Sequence, residues 1–140
     1  MYDAILFPTD GSEGSEIALD HALDLAGDQD ATLHVLHVVE TISPGASLHD
    51  MIADRMTAQA EELVESVARR VQEREVDVET AVLEGEPAAT IVEYADAEGI
   101  DVIVMPTHGR PTLTKAILGS VTDKVVRTGT VPVVVIKIGE

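Results

Sequence analysis

The sequence predicts an α/β fold in which a five-stranded parallel sheet lies between two layers of helices. Short apolar segments typical of strands alternate with amphipathic segments typical of helices, an order that indicates successive βαβ units. In the segment DVIVMP at 101–106, every residue after Asp101 is apolar, as expected of a strand covered on both faces. We expect all 140 residues to form one domain, residues 1–140.

Five strands and four helices follow from the periodicity. The strands are predicted at YDAILFP, ATLHVLHVV, VDVETAVLE, DVIVMP and VPVVVIKI. The first helix should begin after a cap at Ser12, end at Gly27 and place Ile17 on its apolar face. The other helices are predicted from Ser47 to about Glu75, from Pro87 to Gly99, and from Ser120 to Gly129.

The charge balance excludes several classes of partner. With 26 acidic and 9 basic residues the net charge is −17, which repels phosphate backbones and anionic membranes. Aromatic residues make up 2% of the chain and offer few platforms for stacking nucleic-acid bases. We therefore expect neither nucleic acid nor membrane as a partner, and an acidic surface of the kind found in salt-adapted proteins.

The location of the protein is predicted from its cysteine content and its first residues. The chain has no cysteine, which excludes a disulfide framework and thiolate chemistry. The start, MYDAILFPTDGS, has one short apolar run broken by Pro8 and no basic region, unlike a signal peptide. A cytoplasmic protein is the expectation.

The final forty residues differ from the rest in charge. They hold five basic residues against three acidic ones, Asp101, Asp123 and Glu140. The basic residues are Arg110, Lys115, Lys124, Arg127 and Lys137. A local positive balance in so acidic a chain indicates a bound anion.

Glycine spacing in this region suggests where an anion would bind. Gly109 and Gly119 bracket nine residues, and Ser120 then begins a helix whose N-terminus favours negative charge. This arrangement suits a polyphosphate. A turn at Gly109 and an ordinary helix start at Gly119 explain the same spacing equally well.

Three further positions have both a functional and a structural interpretation. Asp10, after the first strand, could accept hydrogen bonds from a ligand or form an Asx turn. His108 could donate to a phosphate oxygen or serve only in a turn. His34 and His37 lie on opposite strand faces and cannot share a metal ion, and Met56 is interpreted as core filling.

Taken together, these segments resemble the universal stress protein family over essentially the whole chain. The matching pieces are ILFPTDGSEGSEIAL, LHVLHVVE and VIVMPTHGRPTLTKAILGSVTDKVVRTGTVPVVVIK. The last resembles the motif of ATP-binding members, GxxG, nine residues, then Gly-Ser or Gly-Thr. One departure stands out: Pro106 replaces the first glycine, so a backbone N–H is missing where the nucleotide would approach.

The resemblance implies a three-layer, Rossmann-like sandwich of the adenine nucleotide alpha hydrolase-like type. It implies a stress-response protein regulated by a bound nucleotide, ATP or else AMP or ADP, with Mg²⁺ or Mn²⁺. Asp10 and Val38 would lie near the adenine, and Gly109, Gly119 and Ser120 near the ribose and phosphates. The full predicted binding set is Pro8, Thr9, Asp10, Val38, Met105, Thr107, His108, Gly109, Arg110, Gly119, Ser120 and Val121.

The resemblance also implies a homodimer that pairs through the C-terminal strand at 132–138. No catalytic residue is predicted, and the metal-binding residues are not identified. Two other functions stay open: a dimeric interaction module of the same family that binds no nucleotide, which Pro106 favours, and a weak ATP hydrolase.

Overall fold

A computed structural model describes residues 1–40, 47–108 and 118–138, with the backbone alone for 47–54. It confirms the predicted class, with five strands and four helices in this part of the chain. The strands are β1 (Ala4–Pro8), β2 (Thr32–Val39), β3 (Val78–Glu84), β4 (Val102–Pro106) and β5 (Val133–Ile136). The helices are α1 (Glu13–Gln29), α2 (Ser47–Glu73), α3 (Pro87–Ala97) and α4 (Ser120–Thr128).

All strand pairs are parallel, and the strand order is β3-β2-β1-β4-β5. The chain builds outward from β1 to one edge, then crosses back to place β4 on the other side of β1. Each parallel connection needs a crossover, and the helices provide it. The order reverses between β1 and β4, which is where doubly wound sheets bind ligands.

An apolar cluster covers each face of the sheet. Ile5 and Phe7 of β1 point towards α1 and α2, whereas Leu6 points towards α3 and α4. In β4, Val102 and Val104 belong to the first cluster, and Ile103 and Met105 to the second. Burial of each such side chain contributes roughly 1.5–3 kcal/mol. Burial on both faces explains why β4, VIVMP, is apolar throughout.

The two central strands separate towards their carboxyl ends. β1 pairs with β2 as far as Pro8↔Leu36, and β4 pairs with β5 as far as Pro106↔Ile136. Between β1 and β4, however, the register contains only Ile5↔Val102 and Leu6↔Ile103. Beyond Leu6 and Ile103 the two strands therefore leave a gap in the sheet.

Pro106 lies at this gap. The N–H groups of Ile103 and Thr107 donate to the carbonyls of Pro132 and Ile136, on the β5 side. Because alternate residues of a strand face opposite neighbours, position 106 would direct its N–H towards β1, with which β4 no longer pairs there. The proline therefore removes no hydrogen bond from the sheet.

Several predicted boundaries differ from those observed. Helix α1 continues past Gly27 to Gln29, because Asp30 adopts the left-handed conformation (φ 54°) and its N–H caps the carbonyls of Ala26 and Gly27. The prediction that Gly27 ends the helix was wrong. Ile17 is 44% exposed and does not share the buried face.

The edge strands are shorter than predicted. β5 spans four residues, Val133–Ile136, within the predicted 132–138, and β3 begins at Val78. Helix α2 ends at Glu73, close to the expected Glu75. The start of α3 at Pro87 and the bounds of α4 agree with the prediction.

One buried polar pair connects α3 to the sheet. His34 on β2 is 5% exposed, and its Nδ1 lies 2.8 Å from the hydroxyl oxygen of Tyr94. The rings meet edge to face with centroids 5.8 Å apart. Burial, followed by the charges of Glu98 and Glu79, raises the pKa of Tyr94 to about 12, so the phenol stays protonated.

We predict that Tyr94→Phe lowers the free energy of unfolding by about 1 kcal/mol, because His34 loses its hydrogen-bond partner in a buried site. Urea denaturation measures this change. Tyr2→Phe is the matched control, since the Tyr2 hydroxyl makes no hydrogen bond to any residue in the described ranges. Equal stability of the two variants would contradict a stabilising role for the His34–Tyr94 pair.

Candidate functional site

A cavity of about 650 Å³ opens at the gap between β1 and β4. Its walls come from the ends of β1, β2 and β4, from α2, and from the first turns of α3 and α4. Its size is in the range of small-molecule sites. The separation of the two central strands thus produces a cavity at the topological switch point.

The loop between β1 and α1 fixes the carboxylate of Asp10 at one side of this cavity. Oδ1 of Asp10 accepts hydrogen bonds from the Ser12 N–H and the Ser15 hydroxyl, both at 2.9 Å. Ser12 also caps α1 by accepting from the Ser15 N–H. Gly11 has φ +77°, a conformation that favours glycine. The loop therefore combines a helix cap with a held carboxylate.

The pKa of Asp10 reflects two opposing effects. Partial burial of the carboxyl raises it, but hydrogen bonds from Ser12, through its side chain and backbone, and from Ser15 together outweigh burial. The net result is a pKa below the ordinary value. Asp10 is therefore an anion at neutral pH, and within the described residues its Oδ2 accepts no hydrogen bond.

His37 reaches the same loop from β2. Its Nδ1 lies 2.7 Å from the backbone carbonyl oxygen of Thr9. A carbonyl only accepts, so Nδ1 carries the proton and a neutral ring has its acceptor at Nε2. This bond holds the peptide that precedes Asp10.

The opposite side of the cavity is the N-terminus of α4. Gly119 is the N-cap, and no side chain of the described residues caps this end. The Gly119 N–H donates to the Thr107 carbonyl at 2.6 Å, which holds the helix against the end of β4. A Cβ at position 119 would lie 3.3 Å from His108 Cα and Cβ and from the Thr107 carbonyl oxygen, so glycine suits this contact.

His108 is buried beside this helix end. It is 2% exposed, and its Nδ1 lies 3.1 Å from the Thr107 hydroxyl oxygen. Its Nε2 is shielded from solvent and has no hydrogen-bond partner in the described part of the chain. Buried polar atoms without partners are rare, which makes this nitrogen an unusual feature of the site.

The remaining wall is mostly apolar. Met56 and Leu63 contribute from α2, Val38 from β2 and Ile91 from α3. The Gln59 side chain adds an amide to this wall. An apolar slot with a few polar groups at its ends suits a planar ring attached to a charged tail.

A smaller, polar cavity of about 370 Å³ adjoins the first. Glu40, Glu86 and Lys124 contribute to its lining, and it shares Ser120 and Val121 with the main cavity. Hydrogen bonds from the Ala89 and Ala88 N–H groups, with a smaller effect of Lys124, hold the pKa of Glu86 below its ordinary value. Of the basic residues that the structure describes in the final forty positions, Lys124 is the one that lines these cavities.

Most of the predicted binding residues lie around the main cavity. Those in its lining are Pro8, Thr9, Asp10, Val38, Met105, His108, Gly119, Ser120 and Val121. Thr107 lies behind His108 and does not line it. Gly109, Arg110 and Lys115 lie outside the described residues. The binding roles of the whole set stay predictions.

Other lining residues were not in the predicted set. They are Ser15, Leu36, His37, Val39, Glu40, Met56, Gln59, Ala60, Leu63, Pro87, Ile91, Pro106 and Thr122. The alternation of side chains along the strand already placed His37 and His34 on opposite faces, and it could have been used to predict different roles for them. Nothing in the sequence indicated that residues of α2 line the cavity. Helical periodicity shows which residues face the sheet, but not which end of a strand each turn of the helix lies beside.

The described residues contain no group of three or more His, Asp or Glu side chains arranged to hold a metal ion. Nor is any helix in those residues long and apolar enough to cross a membrane. Acidic segments of the described surface therefore give no preformed cation site.

A parallel sheet with a cavity at its switch point defines the chain as a doubly wound α/β protein. The universal stress protein family model matches residues 1–137. The chain is 35% identical to the universal stress protein MJ0531 of Methanocaldococcus jannaschii, over 98% of this chain and 83% of that protein. The chain therefore belongs to the universal stress protein family.

Solved structures agree with this assignment. The structure of MJ0577, also of M. jannaschii, superimposes with a TM-score of 0.91 at 32% identity, over 100% of this chain and 99% of that one. A universal stress protein crystallised in complex with cAMP superimposes with a TM-score of 0.76 at 26% identity, over 96% and 97%. The fold of the whole chain is thus shared with family members.

We predict that Ser15→Ala raises the pKa of Asp10, because a hydrogen bond to the charged carboxylate is lost. A carboxylate NMR titration measures this shift. A depressed pKa stabilises the fold above the unfolded-state pKa of about 3.9, and that stability disappears as the pH falls through the folded-state pKa. The difference in unfolding free energy between wild type and variant should therefore shrink between pH 7 and pH 3.

Ser66→Ala, on the exposed face of α2, is the matched control and should leave the Asp10 titration unchanged. An unaltered Asp10 pKa in Ser15→Ala would show that the network does not hold the carboxylate.

Proposed function

We propose that this universal stress protein binds an adenine nucleotide in the main cavity, and that the nucleotide acts as a regulatory ligand in a stress response. The observation that carries the proposal is the pairing of a held carboxylate at one side of the cavity with an uncapped helix N-terminus at the other. The Asp10 carboxylate accepts hydrogen bonds and so suits the amino group of a base. The α4 N-terminus suits a phosphate.

The apolar wall supports a nucleotide over a free anion. Val38, Met56 and Leu63 line the space that leads towards Asp10, and a planar base buries apolar surface against such side chains. A side chain at position 119 would press against His108 and the Thr107 carbonyl, so glycine keeps the first amides of α4 close to the end of β4. The relative crystallised with cAMP is consistent with this ligand class.

ATP is the nucleotide that we propose first, with AMP and ADP as alternatives. Two or three phosphates would require Mg²⁺ or Mn²⁺ to offset the charge of an acidic protein. Because no three-residue ligand group exists among the described side chains, phosphate and water oxygens would supply most of the coordination. We therefore propose that the metal arrives with its nucleotide.

We propose further that two copies of the single domain pair through β5. β5 is an edge strand that bonds only to β4 within the described sheet, and Val134 is 37% exposed. An apolar edge with free backbone groups is prone to pairing with another chain. A two-fold axis beside β5 would extend the sheet from one protomer to its partner.

The nucleotide proposal is tested by the ligand that the protein retains and by calorimetry. Wild-type protein should release an adenine-absorbing compound on denaturation, or bind ATP with Mg²⁺ by titration calorimetry. Gly119→Ala should weaken binding about tenfold, because the added Cβ meets His108 and the Thr107 carbonyl at 3.3 Å and displaces the helix end.

Gly27→Ala is the matched control. A Cβ at position 27 would meet nothing within 4 Å, so the same substitution should leave nucleotide affinity unchanged. A wild-type protein that retains no adenine compound and binds neither ATP, AMP nor cAMP would remove the proposal and favour an interaction module.

The dimer is tested by a charge on the edge strand. Val134→Asp should convert a dimer to a monomer in sedimentation equilibrium, because it buries a carboxylate at the pairing edge. Leu83→Asp, on the opposite edge strand β3 and 39% exposed, should remain dimeric. A monomeric wild type, or equal effects of the two variants, would contradict pairing through β5.

A further inference from the structure

We propose that Thr107 is a positioning residue that ties the C-terminal edge strand to the helix end in the cavity, and that its hydroxyl holds His108 as the neutral Nε2–H tautomer. The inference rests on the proposed function in one respect: the ligand whose affinity Thr107 affects is the nucleotide. The hydrogen bonds that connect the C-terminal strand to the start of α4, and the tautomer of His108, are properties of the protein without ligand.

Thr107 uses all of its polar groups to make this connection. Its N–H donates to the Ile136 carbonyl at 2.8 Å, and its carbonyl accepts from the Gly119 N–H at 2.6 Å. Its hydroxyl oxygen accepts from the Ile138 N–H at 3.1 Å. One residue therefore joins β5, the segment that follows it and the N-terminus of α4.

Counting hydrogens at the hydroxyl of Thr107 determines the state of His108. The hydroxyl accepts from Ile138, and its own proton has one described acceptor within reach, His108 Nδ1 at 3.1 Å. If Nδ1 carried a proton instead, the hydroxyl proton would have no acceptor among the described residues, at a side chain only 9% exposed. Hydroxyl donation to Nδ1 satisfies both groups, so the ring proton lies on Nε2.

The result is a buried donor at the cavity. Nε2 is the ring atom without a described partner, and His108 lies in the cavity wall against Gly119. A buried N–H without an acceptor is unfavourable, but this atom is shielded from the cavity, so a ligand there would contact the ring and the start of α4 rather than Nε2.

The same geometry couples ligand binding to the C-terminal strand. A ligand that fixes His108 and the start of α4 also restrains Thr107, and through it the Ile136 and Ile138 bonds. By linkage, whatever orders this strand, including a second copy of the chain, should strengthen ligand binding.

The free protein provides the first test. Two-dimensional ¹⁵N NMR of the histidine rings should show a proton on His108 Nε2 and none on Nδ1 in wild type and in Thr107→Ser, which keeps the hydroxyl. Thr107→Val should lose this preference. Amide exchange at Ile138 should be about tenfold faster in Thr107→Val than in Thr107→Ser.

Ligand binding provides the second test. ATP with Mg²⁺, AMP and cAMP are the probes, and at least one should slow Ile138 amide exchange in wild type and Thr107→Ser. Thr107→Val should bind that probe about five- to tenfold more weakly and show no such slowing. Thr130→Val is the control, since that hydroxyl bonds Asp96 at an exposed site, and it should behave as wild type.

The outcomes separate this inference from the proposed function. A wild-type His108 protonated at Nδ1, or Ile138 exchange that is equal in the valine and serine variants, overturns the role of Thr107 whether or not a nucleotide binds. A probe that binds without changing Ile138 exchange overturns the coupling alone. A protein that binds none of the probes overturns the proposed function and the coupling. The measurements on the free protein still decide the tautomer of His108 and the role of the Thr107 hydroxyl in holding Ile138.

Discussion

The early end of pairing between β1 and β4 is the constraint on which the rest of the molecule depends. These strands share only two register positions, although each continues to pair with its outer neighbour. Had they paired to their ends, residues after Pro8 and Pro106 would have closed the sheet where the cavity now lies. The gap instead directs the β1–α1 loop and the start of α4 towards a common space.

Two local networks of small residues hold the sides of that space. At one side, Ser12 and Ser15 hold the Asp10 carboxylate while Ser12 also caps α1. At the other, Thr107 holds the start of α4 through Gly119. Both networks rely on hydroxyls and backbone groups with little conformational freedom, so the sides of the cavity are formed before a ligand binds.

The sequence predicted the strand number, the helix number and the class of fold because strands and helices differ in hydrophobic period. The family resemblance predicted residues at the ends of β1 and β4 that line the cavity, among them Asp10 and Met105. The contribution of Met56 and Gln59 could not be predicted, since it depends on how far along the sheet α2 lies. The end of α1 was misplaced because Asp30, rather than glycine, adopts the left-handed conformation.

Pro106 shows why a departure from a sequence motif has to be interpreted in the structure. In the sequence it is a lost glycine and a lost N–H. In the sheet it occupies a position whose N–H would have faced the gap, with β5 already bonded through Ile103 and Thr107. The substitution therefore leaves the sheet intact and changes only the lining of the main cavity.

The carboxylate of Asp101 bears on the order in which the chain assembles during synthesis. Its Oδ2 accepts from the Asp3 N–H at 2.8 Å and the Ala4 N–H at 3.0 Å, and these bonds hold its pKa below the ordinary value. The start of β1 is thus completed by a residue made almost a hundred positions later. On the ribosome, β1, β2 and β3 can pair early, but one side of β1 stays open until β4 emerges. Until β4 emerges, the central strand of the nascent chain can be bonded on one side only.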